Sequence, residues 1–139
     1  MEELFADLER RLTDPASQER VLRKLGNQVL DAWRENILTS GHGTFAPLSD
    51  RTLREKIAGG YPLIPLIRER HLLGSMAEGG ENNVFDVRAG EIVVGTGDPK
   101  AGWHKSGTER MPARDFSELR AEDLGLMADT TARWVRGEL

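Results

Sequence analysis

The sequence predicts an α+β fold in a single domain spanning residues 1–139: a small antiparallel sheet packed against a long N-terminal helix and a C-terminal helix, with extended loops between them. Three observations predict it. Apolar residues recur at helical spacing near both ends of the chain. Between them lies one pair of β-branched runs separated by a glycine turn. The remaining segments are punctuated by Gly and Pro and follow neither period.

Taken in order, Leu4, Leu8 and Leu12 repeat at helical spacing, with Glu2 and Glu3 at the start and Arg10 and Arg11 at the end, matching the helix dipole. Asp14 and Pro15 then form a helix start, a capping carboxylate followed by proline at the first helical position. The helix that follows carries Leu22, Leu25, Val29, Trp33 and Ile37 on one stripe, and Gly41 is placed to end it. "HGTFAP" (42–47) is a loop, after which Ser49 or Asp50 caps a short helix running through Lys56. "YPLIPLI" (61–67) holds two prolines and is an extended connector, not a central strand. One or two helical turns are expected over 71–76, and "EGGENN" (78–83) is expected to be a flexible tip.

Phe85 and Val87 alternate with Asp86 and Arg88, and Ile92–Val94 is β-branched, so "RAGE" makes an antiparallel hairpin with Gly90 at positive φ. "GTGDPKAG" (95–102) is a second loop, and 103–107 is expected to return as a third strand. Leu124, Met127, Ala128, Thr131 and Trp134 form the stripe of the closing helix.

Composition bounds the function. With 139 residues the chain has material for one core. A net charge of -4 argues against a uniformly basic nucleic-acid module, while 19 Lys and Arg leave room for a local basic patch. The absence of cysteine excludes disulfides and thiolate metal sites. "MEELFADLERR" is acidic and amphipathic, unlike a secretory signal, and no apolar run approaches membrane-spanning length. The expectation is a chain that folds in the cytoplasm and takes no membrane partner.

Catalytic and metal constellations are not assembled by the sequence. His42, His71 and His104 fall in three segments with no metal-ligand spacing. The 95–102 loop lacks the Gly-Lys-Ser/Thr ending of a phosphate loop, and no helix start is expected after it. Glu78 with Glu81, and Glu122 with Asp123, read as solvated carboxylates. Ser75, Ser106 and Ser117 lack a nucleophile-elbow setting. No cofactor site is expected. Stretches 42–47, 59–67 and 78–83 are long for a domain of this size, which points to contact with other chains.

Several spaced motifs together resemble the phage virion morphogenesis family, which includes tail-completion proteins and the Mu-like protein G group. The family's apolar-Pro-Leu-Ser opening and Thr- and Lys-containing helix are matched by "FAPLSDRTLREK", with Pro47, Leu48, Thr52 and Lys56. Its Pro-Leu, Leu and Ser are matched by Pro65, Leu66, Leu72 and Ser75, with Glu69 and Arg70 where the family has Thr-Gly. Beyond the hairpin, Ala101, His104 and Gly107 match the Ala and His-Gln-x-Gly positions, with Lys105 for the glutamine. Pro112, Ala113, Arg114 and Phe116 match Pro-Ala-Arg-x-Phe.

The resemblance implies a non-enzymatic structural protein of the virion, assembled in the host bacterial cytoplasm. It would act at the neck or head-proximal tail end, completing the tail or joining head to tail. It implies assembly with itself as a ring, commonly sixfold, against neighbouring neck, tail-terminator or tail-tube proteins. Phe45, Pro47, Tyr61, Pro65, Leu66, Arg68 and Arg70 are candidates for neighbour contact. His104, Gly107, Pro112, Arg114 and Phe116 are candidates for a structural motif, with Arg114 tying its loop to a carboxylate or to backbone carbonyls. Lys100, Lys105 and Arg110 are candidates for non-specific contact with DNA in a ring lumen. Two alternatives stand beside this reading: a nucleic-acid-binding accessory protein, and a small hydrolase using His104 with Asp98 or Asp115.

Overall fold

The structure, a computed structural model, describes residues 1–68 and 70–139. It is α+β: six helices and one two-stranded antiparallel sheet among the described residues. The helices are α1 (Glu2–Thr13), α2 (Pro15–Leu38), α3 (Asp50–Gly59), α4 (His71–Gly74), α5 (Ala101–Ser106) and α6 (Ala121–Val135). The strands are β1 (Asn83–Arg88) and β2 (Glu91–Thr96).

The long helix α2 is the spine. Its start is capped as its sequence requires, the Asp14 carboxylate accepting from Ser17 N at 3.2 Å with Pro15 in the first turn. Its end is a left-handed turn, with Ser40, Gly41, His42 and Gly43 all at positive φ. The deepest positions are Leu30 and Ile37, at 1% and 0% exposure, while Leu22, Leu25, Val29 and Trp33 of the expected stripe are half-buried. Two layers flank opposite parts of the helix, so its buried surface is wider than one stripe.

One layer is α6. Its inward line is Thr130, which is buried, with Met127 and Trp134 of the expected stripe half-buried, while Leu124, Ala128 and Thr131 of that stripe are exposed. Hydrogen bonds set that face: Gln28 Nε2 donates to Thr130 Oγ1 at 2.8 Å, and Trp134 Nε1 to Ser17 Oγ at 2.7 Å. Helix α1 joins the same end, where Arg11 Nη1 donates to the Val135 carbonyl at 2.6 Å, yet none of its residues is buried.

The other layer is the hairpin. Register pairs Phe85 with Val94 and Val87 with Ile92, and Gly90 turns the chain at φ +75°. Its inner face lies on Gly26 of α2, where a Cβ would stand 2.5 Å from Ile92 Cδ1 and 3.0 Å from Phe85 Cε2. Close approach of hairpin to helix therefore depends on the missing side chain.

Two expectations fail here. Residues 103–107 form helix α5 and not a third strand, so the sheet ends at two strands. Asp98 turns the chain into that helix, its carboxylate accepting from Lys100 N at 2.9 Å and its carbonyl from Ala101 N at 3.0 Å. Proline at 99 withholds a ladder donor at the same place. The 78–83 stretch is pinned instead of loose: Gly97 N donates to the Asn82 carbonyl, and the Glu78 carboxylate takes hydrogen bonds from Arg23 and Asn27.

The core proper joins Leu30 and Ile37 of α2 to Ile67, Leu72, Met76 and Phe116. Half of it comes from segments outside the helices and strands, and none of it from the sheet.

Candidate functional site

Two buried cations organise the loops beside this core. Ser49 caps α3, its hydroxyl accepting from Thr52 N at 3.2 Å, and the helix runs to Gly59, three residues past the expected Lys56, before Gly60 at φ +70°. That places Ser49, Thr52 and Lys56 on one face. Lys56 is 7% exposed, and its ammonium donates to the Ile64 and Ile67 carbonyls, each at 2.8 Å. The "YPLIPLI" connector is thereby folded into a turn, with Leu66 at φ +68°, and is not extended throughout.

Arg114 is the counterpart. Also 7% exposed, it donates from Nε to the Ala46 carbonyl at 2.8 Å and from Nη2 to the Pro47 carbonyl at 2.9 Å. Its own N–H donates to the His104 carbonyl at 2.7 Å. Of the two tethers expected for this side chain, carboxylate or backbone carbonyls, it uses the carbonyls. Phe116, two residues on, is 3% exposed and meets Trp33 edge-on, with ring centroids 6.1 Å apart. The chain after it is gripped by α2: Asn36 Nδ2 donates to the Phe116 and Glu118 carbonyls, and Trp33 Nε1 to the Ser117 carbonyl.

Gly107 closes α5 at φ +75°, ψ 173°, a region open essentially to glycine alone. Thr108 and Met111 then bridge, so Glu109 and Arg110 form the tip of a tight turn.

Together these segments enclose a pocket of about 400 Å³. It is lined by Pro47, Leu48, Ser49, Thr52 and Lys56, by Leu66, Ile67, Arg68, Arg70, His71 and Leu72, and by Asp98, Lys100, His104, Arg110, Met111, Pro112 and Arg114. The lining includes residues from each of the motifs on which the family resemblance rests. A smaller hollow of about 250 Å³ adjoins it, sharing Arg70, His71, Asp98 and Lys100 and adding Glu81.

The pocket is cationic. Among the described residues six Lys and Arg line it against one carboxylate, Asp98, which is 6% exposed and engaged by backbone N–H of its own turn. Burial and the neighbouring cations disfavour the charged forms of groups in the pocket. Burial first, then Arg114 and Arg68, pushes the Lys56 ammonium below its ordinary value. Burial also holds the Arg114 guanidinium below its usual value. His104 is held low by burial first, then by Arg114, with Lys100 and Lys56 adding to the effect and Asp98 opposing it.

A cation-forming group whose folded-state affinity for protons is lowered costs stability as the unfolded chain takes up its proton, so stability drops as pH falls through and below about 6.5. Replacing His104 with glutamine should remove that component. Denaturant unfolding at pH 7 and pH 5 should show a smaller loss on acidification for His104→Gln than for the unsubstituted chain; equal losses would contradict it.

Placed against the sequence reading, Pro47, Leu66, Arg68, Arg70, Lys100, His104, Pro112, Arg110 and Arg114 all reach the pocket. Phe45, Pro65 and Leu66 also pack inward, Phe45 and Leu66 against the core. Tyr61 is half-buried with the Arg68 guanidinium 4.6 Å above its ring. Lys105 is exposed and lies outside the pocket. Glu69 lies outside the described residues.

The three histidines are less scattered than their positions suggest: His71 and His104 share the pocket, while His42 meets Arg120 at 3.2 Å. No group of three or more His, Asp or Glu among the described residues is placed to hold a metal ion. A helix does follow the 95–102 loop, contrary to expectation, but it has only six residues. Asp98 shares the pocket with His104, whereas the Asp115 carboxylate accepts from Ser117 N and Oγ. Ser49, the serine in the pocket, is spent as a helix cap, and His104 Nδ1 is buried without a hydrogen-bond partner among the described residues.

Lys56 is the residue whose site role the sequence reading missed. The signal was its spacing, three and seven residues along the helix from Ser49 to Thr52 to Lys56, which puts a cation on the face that turns inward. No family model, curated protein or solved structure matches this chain.

Proposed function

We propose that this chain is a structural protein of the neck or head-proximal tail end of a phage virion, completing the tail or joining head to tail by assembling as a ring. Its partners are further copies of itself, in a hexamer as the resemblance implies, and neighbouring neck, tail-terminator or tail-tube proteins. One observation carries the reading: motifs picked from separated stretches of sequence meet as one physical unit. Arg114 of Pro-Ala-Arg-x-Phe clasps the carbonyls of Ala46 and Pro47 in the apolar-Pro-Leu-Ser motif. Lys56 clasps the carbonyls on either side of Pro65 and Leu66. Gly107 stands at a φ and ψ that only glycine tolerates. Arg70, where the family pattern has glycine, holds the left-handed φ of +64° that glycine favours.

Exposed apolar side chains on several faces support multiple contacts, among them Phe5 on α1, Leu63 in the connector, Trp103 on α5 and Leu126 on α6. A head-to-tail ring needs two different complementary surfaces on each copy. Less supports the alternatives. Only two of the three basic residues expected to meet DNA reach a common site, and no serine is hydrogen-bonded to His104 among the described residues.

Deleting the coding sequence from a phage or prophage that carries it should leave heads and tails unjoined, or tails incomplete, in negative-stain micrographs. Intact infectious particles from the deletion would overturn the proposal.

A further inference from the structure

Among the described residues the pocket's cations are set against one lining carboxylate, Asp98. Lys56, Arg68, Arg70, Lys100, Arg110 and Arg114 line the pocket, and no ion pair among the described residues joins any of them to a carboxylate. Leu48, Leu66, Ile67, Leu72, Met111 and Pro112 give it apolar surface as well. A concave site that offers both cations and apolar surface suits a group that is both acidic and apolar. It suits a duplex backbone less well, since phosphates offer nothing to its apolar side chains.

A segment of that complementary character stands elsewhere on the chain. Helix α1 is amphipathic but buries none of its residues, with Leu4 64% and Phe5 62% exposed. Glu2 and Glu3 share its first turn and join no ion pair among the described residues, whereas Asp7 in the next turn pairs with Arg10 and Arg11. No residue of α1, α2 or α6 lines the pocket. The two features therefore belong to separate surfaces of one protomer, as a head-to-tail contact requires.

We propose that the pocket receives the first turn of α1 from a second copy of the chain, Glu2 and Glu3 meeting its cations while Leu4 or Phe5 meets its apolar side chains. This rests on the ring-assembly reading and supplies its interface. Charge complementarity steers the approach and fixes the register, and the apolar insertion excludes water from the contact.

The test uses the full chain carrying Glu2→Lys and Glu3→Lys, which disables its own first turn, and a fluorescein-labelled peptide of sequence MEELFADL. Fluorescence anisotropy should show saturable binding that weakens with salt. Adding Lys100→Glu and Arg110→Glu, both exposed positions, should weaken it at least about tenfold, with circular dichroism unchanged. Absence of binding, or equal binding by the Lys100→Glu, Arg110→Glu chain, overturns the inference. So does a short DNA duplex that binds more tightly than the peptide and loses affinity through the same two substitutions. An otherwise unsubstituted chain that forms rings unaltered by Lys100→Glu and Arg110→Glu overturns the inference and leaves the ring reading standing. An unsubstituted chain that stays monomeric overturns both.

Discussion

Replacing Phe116 with alanine is expected to cost about 3–5 kcal/mol and lower the melting temperature by roughly 10–17 °C. The side chain is 3% exposed and belongs to the core cluster with Leu30, Ile37, Ile67, Leu72 and Met76. Its removal leaves a cavity that α2 cannot collapse into, because Asn36 and Trp33 hold the 116–118 carbonyls at fixed distances. It also forfeits the edge-on contact with Trp33. For a domain of ordinary stability, about 5–15 kcal/mol, this is a large fraction of the whole. Phe116→Leu, which refills most of the volume, should lose less than half as much. Calorimetry of the two variants decides it, and an alanine variant melting within about 3 °C of the unsubstituted chain would refute the packing argument.

Gly107→Ala is expected to cost roughly 2–4 kcal/mol, although it adds a single methyl group. Two causes coincide. The backbone at φ +75°, ψ 173° is strained for any L side chain, and a Cβ there would stand 2.7 Å from the Ala113 amide nitrogen. The obstructing atom is main chain, in the loop that Arg114 anchors, so it cannot swing aside. The control is Gly102→Ala in the same short helix, where a Cβ meets nothing within 4 Å and φ is ordinary. That change should be neutral or stabilise by up to about 1 kcal/mol. Urea unfolding of both variants tests the contrast; equal midpoints would show that the turn is not held as described.

Much of the fold was legible because local chemistry and tertiary packing agree. Asp14 and Pro15 start α2, Ser49 starts α3 and Gly90 turns the hairpin, each by a local hydrogen bond or backbone preference written in adjacent residues. That Arg114 ties its loop down was legible too, while the choice of backbone carbonyls over a carboxylate was not.

What escaped the sequence depends on distant partners. Helix α5 has six residues and no apolar period, and it is held by Asp98 before it and by Arg114 N at the His104 carbonyl. The buried face of α6 turns on Thr130 and Trp134 because Gln28 and Ser17 wait on α2, and hydropathy cannot register those bonds. The pocket was visible only as separate pieces. Lys56, Arg68, Lys100 and Arg110 come together because Lys56 bends the connector through Leu66 at positive φ, which no local preference of leucine foretells.

The central claim is that this chain builds a closed ring through two different surfaces of each copy. Native mass spectrometry of the purified full chain tests it most directly. A single closed oligomer of fixed stoichiometry, six copies as the resemblance implies, is the expected result, alone or once a neighbouring neck or tail protein is added. A strict monomer at every concentration, with and without those neighbours, would contradict it.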